Sequence, residues 1–369
     1  MKILDRYVGM SVLATAFFGV VVLSLVLVLG NLFKELLDVI INNPDVPIGT
    51  VLSFLILVLP FSLTFTIPWG FLTALLLVFG RISADNELIA LKANGVSIPR
   101  LCVPVFLLAF VLTAICFWIN IEVAPRAEQR MTRAIVDIAT SNPAALFRSD
   151  EVVDQFPDRR VYVGGKDGNT LKNLIVFEIN EKSEPTKMVY AKRGILTSDP
   201  ENPRLLLKLF DARFEQRDEE DPRNLGKIRQ GIVLSEGVFP IALTEFYNEY
   251  LSGRRLSSYT LSELMAFIRE GADGKAQEAS VEFNKRFSAS LACVAFALIA
   301  IPLGITTHRK ETSVGFALSL VVAFTYFFFI IMADTFRGNA AAYPALLIWM
   351  PNIIFMSLGA FLFWRLSKK

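Results

Sequence analysis

Three long apolar stretches, a polar stretch from residue 124 to residue 286, and three more apolar stretches divide this chain. One water-soluble core cannot accommodate that order. Backbone polar groups inside a bilayer must be satisfied within a helix, whereas the polar middle needs water. The run from Val8 to Phe33 carries no charge and, at about 1.5 Å per helical residue, is longer than a hydrocarbon core of about 30 Å. Ile48 to Phe79, Ile98 to Val123, Phe287 to Ile305, Val314 to Ala333 and Tyr343 to Trp364 read the same way, which predicts six transmembrane helices. Composition agrees: 53% hydrophobic residues, 31 of them Phe, and a mean hydropathy of +0.49 exceed what a soluble core hides. Lys2 and Arg6 precede the first run as in a signal peptide. That run is too long for such a segment, and no small-residue cleavage site follows it, so an uncleaved anchor is expected.

Short loops set the orientation. Lys2 and Arg6, then Arg81, Lys92 and Arg100, then Arg309 and Lys310, then Arg365, Lys368 and Lys369 fall on one side, while the opposite short loops hold only Lys34 and Arg337. The positive-inside rule makes the first side cytoplasmic, with both termini there and the polar middle on the far side. The expected division is 1–125 for helices one to three, 126–278 for the external region and 279–369 for helices four to six.

Within the external region, from about Asp150 to Leu243, the pattern changes to short runs of period two. Arg160 to Val163, Leu171 to Ile179, Met188 to Ala191, Leu205 to Phe210, Arg213 to Glu215 and Ile228 to Leu234 read as strands. Asp167-Gly168 marks a hairpin, and Asp199-Pro200 and Asp221-Pro222 mark further turns. No helix interleaves these strands, so a sandwich, a jelly roll or an open barrel fits. Thr260-Leu261-Ser262-Glu263 is a capping box that opens a short helix ending at Gly271.

Several chemistries find no support. The near match to a phosphate-binding loop, Gly164-Gly165-Lys166-Asp167, sits between strands and lacks the hydroxyl that holds Mg²⁺, so ATP has to be handled by another chain. Glu122 and Asp334 sit near the outer ends of their spans and no charge lies at midplane, which argues against an ion-coupled relay. His308 is the sole histidine, without zinc-site spacing, and Cys102, Cys116 and Cys293 lie in apolar runs without ligand spacing. No cofactor is called for. A net charge of +2 spread over membrane flanks gives no reason to expect nucleic acid.

The loop after the second span is more informative. Ser83 to Asn86 offers N-caps, Glu87 to Asn94 is a short amphipathic segment, and Gly95 stops it before Pro99, predicting a helix at about 83–95 across the cytoplasmic face. One role for it is an interfacial connector with Leu88 and Leu91 dipping into the headgroup region. The other is a coupling helix seated in a groove of a cytoplasmic motor subunit, with the Glu87 carboxylate offered to a basic partner.

These residues carry a resemblance. Leu59-Pro60, Ile67-Pro68, the stretch Phe79-Gly80-Arg81-Ile82-Ser83, and Glu87 to Ser97 resemble the signature of the LptF/LptG lipopolysaccharide export permeases. Lys285-Arg286 followed by Ile301-Pro302-Leu303-Gly304 does so too. The likeness extends over the whole chain and is most specific from Phe79 to Ser97. It implies an α-helical integral membrane protein with six transmembrane helices and a periplasmic all-β, jellyroll-like domain, about 150–243, inserted between helices three and four. It further implies a permease subunit of an ABC-type exporter in the bacterial inner membrane, not itself an enzyme. The implied partners are a second LptF/LptG-type permease, a cytoplasmic ABC ATPase dimer, a periplasmic jellyroll bridge protein and a single-helix membrane adaptor. Glu87 falls on the family's coupling glutamate, with Leu88 and Leu91 beside it. Asn284 stands where many members have His.

With lipopolysaccharide as the cargo, Lys34, Arg126, Arg130, Arg133 and Arg337 place cations at outer headgroup level, where the phosphates of lipid A would lie. Val163 and Phe177 are expected to face the interior of a lipid conduit in the β-domain. Other readings are an ABC exporter of the MacB type, for which four spans would be expected, and a membrane scaffold or sensor with a periplasmic ligand-binding domain. A membrane-embedded enzyme would need a polar catalytic group inside a span, and none is found.

Overall fold

The structure, a computed structural model, describes residues 3–42, 48–141, 149–156, 159–168, 170–179, 185–198, 204–216, 229–242, 256–271, 275–306, 312–339 and 343–368. His308, Leu243 and the turns expected at Asp199-Pro200 and Asp221-Pro222 lie outside the described residues. The chain divides into two compact units, one of residues 1–34, 49–129 and 255–369, the other of residues 35–48 and 130–254.

Every predicted span is helical, and six helices are long and apolar enough to cross a membrane. In order the helices are α1 (Ile3–Asn42), α2 (Ile48–Ala84), α3 (Glu87–Ala93), α4 (Ile98–Trp118), α5 (Ala124–Ser141), α6 (Leu261–Glu270), α7 (Lys275–Thr306), α8 (Thr312–Thr335) and α9 (Pro344–Ser367). Helix boundaries run past the apolar boundaries, because loss of apolarity ends membrane burial and not backbone hydrogen bonding. Thus α1 continues beyond Phe33, and α7 starts at Lys275 rather than near Phe287. A π-helical turn, Ile119–Val123, joins α4 to α5 without a break.

The core of the helical unit is α7, which packs against α4, α6, α8 and α9. Of its apolar window 72% is enclosed, against 17% for α1. A buried polar knot reinforces this centre: Asn352 Nδ2 donates to Ser288 O and Ser288 Oγ, both at 2.8 Å. Tyr326 OH donates to Ser288 O at 3.1 Å, and Ser288 Oγ donates to Ile348 O at 2.8 Å. Polar atoms in an apolar medium have few alternative partners, so such a knot selects one arrangement of α7, α8 and α9. Preceding α7, the expected capping box is present, with Thr260 N donating to Glu263 Oε2 at 2.7 Å, and Gly271 closes α6 in the left-handed conformation.

In the other unit six strands, β1 (Glu151–Phe156), β2 (Arg159–Asp167), β3 (Thr170–Ile179), β4 (Pro185–Ser198), β5 (Arg204–Gln216) and β6 (Arg229–Ala242), pair antiparallel in chain order. Every described connection joins neighbours, so the described strands form a meander, and the Greek-key crossings of a strict jelly roll are not among them. The hairpin at Asp167-Gly168 forms as expected. Leu205–Phe210 and Arg213–Glu215, read as two strands, are one strand that passes through Asp211 at φ +52°.

That residue belongs to a crease. Apart from register shifts toward strand ends, at Val153–Phe156, Glu178–Ile179 and Arg213–Glu215, the ladders break on one line, Gly164–Asn173–Lys192–Asp211–Ser235, where each strand leaves one residue out of the pairing and the register resumes unchanged. Asn173 and Asp211 take left-handed φ there. On one side of the line Val163, Leu174, Val176, Val189, Ala191 and Ala212 are buried; on the other, Leu171, Leu196, Leu207 and Leu209. One extra residue per strand reverses the alternation, so both halves of the bent sheet bury their apolar face on the same side. Gly194 makes room for this: a Cβ there would lie 2.8 Å from Leu174 Cδ1 and 3.1 Å from Leu207 Cδ1. A β-branched side chain at Asp211 would clash in the left-handed conformation. Asp211→Val should lower unfolding stability by about 1–2 kcal/mol and Asp211→Gly should not, as read by denaturant unfolding followed on the sheet.

Candidate functional site: a short helix and an ion cluster at opposite ends of the spans

The short helix α3 is built by local geometry at both ends. Asn86 turns the chain at φ +59° after α2, and Glu87 opens α3. At the far end Gly95, at φ +78°, donates to Lys92 O at 2.9 Å while Val96 N donates to Leu91 O at 3.0 Å, a Schellman stop. Leu88 is 8% exposed and sits in the same core as Val8, Ile98 and Leu101, with Leu91 packed against it. Both leucines named from sequence therefore turn into the chain's own core. The open face of α3 carries Ile89, Ala90, Lys92 and Ala93, with Glu87 at its edge. Ile89 is the apolar residue that sequence reasoning missed, because over seven residues a helical wheel does not say which side the core takes. Ser83 Oγ donates to Ile305 O at 2.8 Å, tying the end of α2 to the end of α7.

At the opposite ends of the spans, the cations named from sequence meet different surroundings. Arg126 is exposed and pairs with Glu122 one turn earlier. Arg130 and Arg133 are exposed on α5. Lys34 falls on α1, its side chain outside the described residues. Arg337, in contrast, is drawn into a cluster: its Nη2 lies 3.3 Å from Glu282 and 2.9 Å from Asp334. Lys285 Nζ reaches the other Asp334 oxygen at 2.6 Å.

Glu282 is shared, because Arg286 Nε also approaches it, at 3.5 Å. The Arg286 side chain is only 4% exposed, and its Nη2 donates to Ser257 O at 2.8 Å and Leu256 O at 3.3 Å. Ser257 Oγ donates to Glu128 at 2.8 Å, and Gln129 Nε2 donates to Ser258 O at 2.8 Å. One buried guanidinium thus joins the strap at residues 256–258 to α7, and the hydrogen bonds of Glu128 and Gln129 join the strap to α5. Asn284 donates to Ser280 O and accepts from Trp349 Nε1 at 3.0 Å, linking α7 to α9. The Glu282/Arg286 spacing of four was visible in the sequence as a helical ion pair. That Arg337, 55 residues on, shares the acid was not. Removing one member of a buried pair strands the other, so Glu282→Gln should lower stability by about 3–5 kcal/mol. Arg126→Gln, breaking an exposed pair, should change it by about 1 kcal/mol or less, with thermal unfolding of both purified variants as the measurement.

In the sheet unit, Val163 is fully buried on the inner face. Phe177 is not on that face: its neighbour Val176 is 1% exposed, so Phe177 stands on the other side and is half-buried. The extra residue at Asn173 shifts the alternation of this strand by one, so the inner face passes from Leu171 to Leu174 and Val176 and leaves Phe177 on the other side.

The comparisons with known proteins agree with this architecture. Residues 6–365 match the family described as lipopolysaccharide export system permease LptF/LptG. The lipopolysaccharide export system permease protein LptF of Escherichia coli strain K12 is 23% identical over 322 residues, covering 85% of this chain and 82% of the relative. The LptF of Shigella flexneri gives the same values. An uncharacterized protein of Rickettsia prowazekii is 21% identical over 170 residues, 46% of each chain. With a match that takes in all six apolar helices, the short helix between the second and third, and the inserted sheet, the chain belongs to the LptF/LptG family of lipopolysaccharide export permeases.

Proposed function

We propose that this chain is one permease half of an ATP-driven lipopolysaccharide exporter of the bacterial inner membrane, with both termini cytoplasmic and the sheet unit periplasmic. It works with a second permease of its family and with a cytoplasmic ABC ATPase dimer that hydrolyses the ATP. A periplasmic jellyroll bridge and a single-helix membrane adaptor complete the path. The observation that carries the reading is α3, a separate short helix on the strongly basic side of the membrane, with Glu87 at the edge of an otherwise open face. A carboxylate in that place suits a basic side chain of a motor subunit, and Ile89 supplies apolar contact beside it.

At the outer ends of the spans, Lys34, Arg126, Arg130 and Arg133 supply positive charge for lipid phosphates. Arg337 contributes less, because two carboxylates already neutralise it. The inner face of the bent sheet, lined by Val163 and the leucines around Gly194, then receives the acyl chains, which need a dry surface while the sugars stay in water.

Glu87→Ala should lower ATP-driven lipid release by about ten- to a hundredfold, the value of one hydrogen bond to a charged group. Release and ATPase assembly are measured on the same purified complexes; wild-type values for both would reduce α3 to a connector. A photocrosslinker at Val163 should capture lipopolysaccharide in an ATP-dependent manner. Capture no greater than at the exposed turn residue Asp167 would remove the conduit.

A further inference from the structure

The first turns of α1 bracket α3. Leu4, Val8, Val12 and Ala16 form the stripe by which α1 meets the core, with Val8 and Val12 fully buried. On a helix, Asp5 and Tyr7 flank that stripe on opposite sides. Tyr7 OH donates to the Glu87 carboxylate, 3.3 Å from Oε1 and 3.2 Å from Oε2. Asp5 pairs with Arg100, in the first turn of α4, at 2.9 Å. One helix end thus holds the segment 87–100 at both of its ends, and between the two contacts Leu88, Ile98 and Leu101 pack into the same core as Val8.

The rest of α1 is sparsely held. Most of its apolar surface is open. Its described ties along the span include the approach of Gly19 to Gly70, where a Cβ on Gly70 would lie 2.8 Å from Val20 Cγ2, and the hydrogen bond between the Ser24 and Thr66 hydroxyls at 2.8 Å. A helix with most of its surface open and gripped by polar contacts at one end is the span best placed to follow what moves that end.

We infer that Tyr7 is a positioning residue for Glu87: its phenol sets the carboxylate that a cationic motor residue meets and makes α1 the span that moves with α3. This rests on the reading of α3 as the motor's docking element. The carboxylate has lone pairs enough for both partners, since each oxygen accepts more than one hydrogen bond. Tyr7 is therefore a link in the chain of force and not a competitor for Glu87.

The test uses the complete complex of both permeases and the ATPase, reconstituted in lipopolysaccharide-containing vesicles, and reads lipid released per ATP hydrolysed for wild type, Tyr7→Phe, Glu87→Gln and the double variant. Tyr7→Phe removes one half-exposed hydroxyl and keeps the ring. The expected result is a fall in release per ATP of about three- to tenfold, the range of a single net hydrogen bond. In the Glu87→Gln background the same substitution should add nothing, because both changes break one link. Wild-type release per ATP in Tyr7→Phe overturns the inference, as does an equal fall in both backgrounds, which would place the action of Tyr7 elsewhere. Failure of the underlying reading looks different: Glu87→Ala alone would then leave assembly and release untouched.

Discussion

A buried carboxylate shared by two guanidinium groups holds one end of the helical unit together. Glu282 is taken out of water on the central helix α7, and it is tolerated there because Arg286 and Arg337 both approach it. Much else follows from that position. Arg286 in turn donates through Nη2 to the backbone of residues 256–257, so the strap that leads into α6 and α7 is pinned beside the charge. Arg337 brings in Asp334, and Asp334 brings in Lys285, so α7 and α8 share one electrostatic boundary at that end.

From this anchored centre the helices become progressively freer. Polar knots and close packing hold α7, α8 and α9, whereas α1 keeps most of its surface open. Regions with few buried contacts are those that move at low energetic cost, and an export permease has use for both kinds. The short helix α3 sits where the two meet, tied to α1 through Tyr7, while Ser83 at the end of α2, just before it, is tied to α7.

The sheet unit solves a different problem. A single antiparallel meander has one apolar face and no second sheet among the described strands to cover it. The crease through Gly164, Asn173, Lys192, Asp211 and Ser235 lets the two halves turn that face toward one another. Outside the crease Arg193 stacks 4.6 Å above the Phe210 ring, directly across the ladder, so the outward aromatic is covered by a cation.

The sequence by itself determined the six spans, the inserted β-region, the capping box at Thr260 and Glu263, the hairpin at Asp167-Gly168 and the short helix at Glu87. Each is set by apolar length, residue periodicity or turn chemistry within a few neighbouring residues, and such signals survive in a linear string. The family was legible for the same reason, since Phe79 to Ser97 is one contiguous motif. Tertiary structure alone decided the rest. Phe177 changed faces because the alternation is reset by backbone bends that align across five strands. Leu88 and Leu91 turned inward because the core they meet is made by α1 and α4, and Arg337 became a structural cation because its acid lies 55 residues away on another helix. Local chemistry selects which element forms; which side of it meets water, lipid or protein depends on what the distant chain places against it.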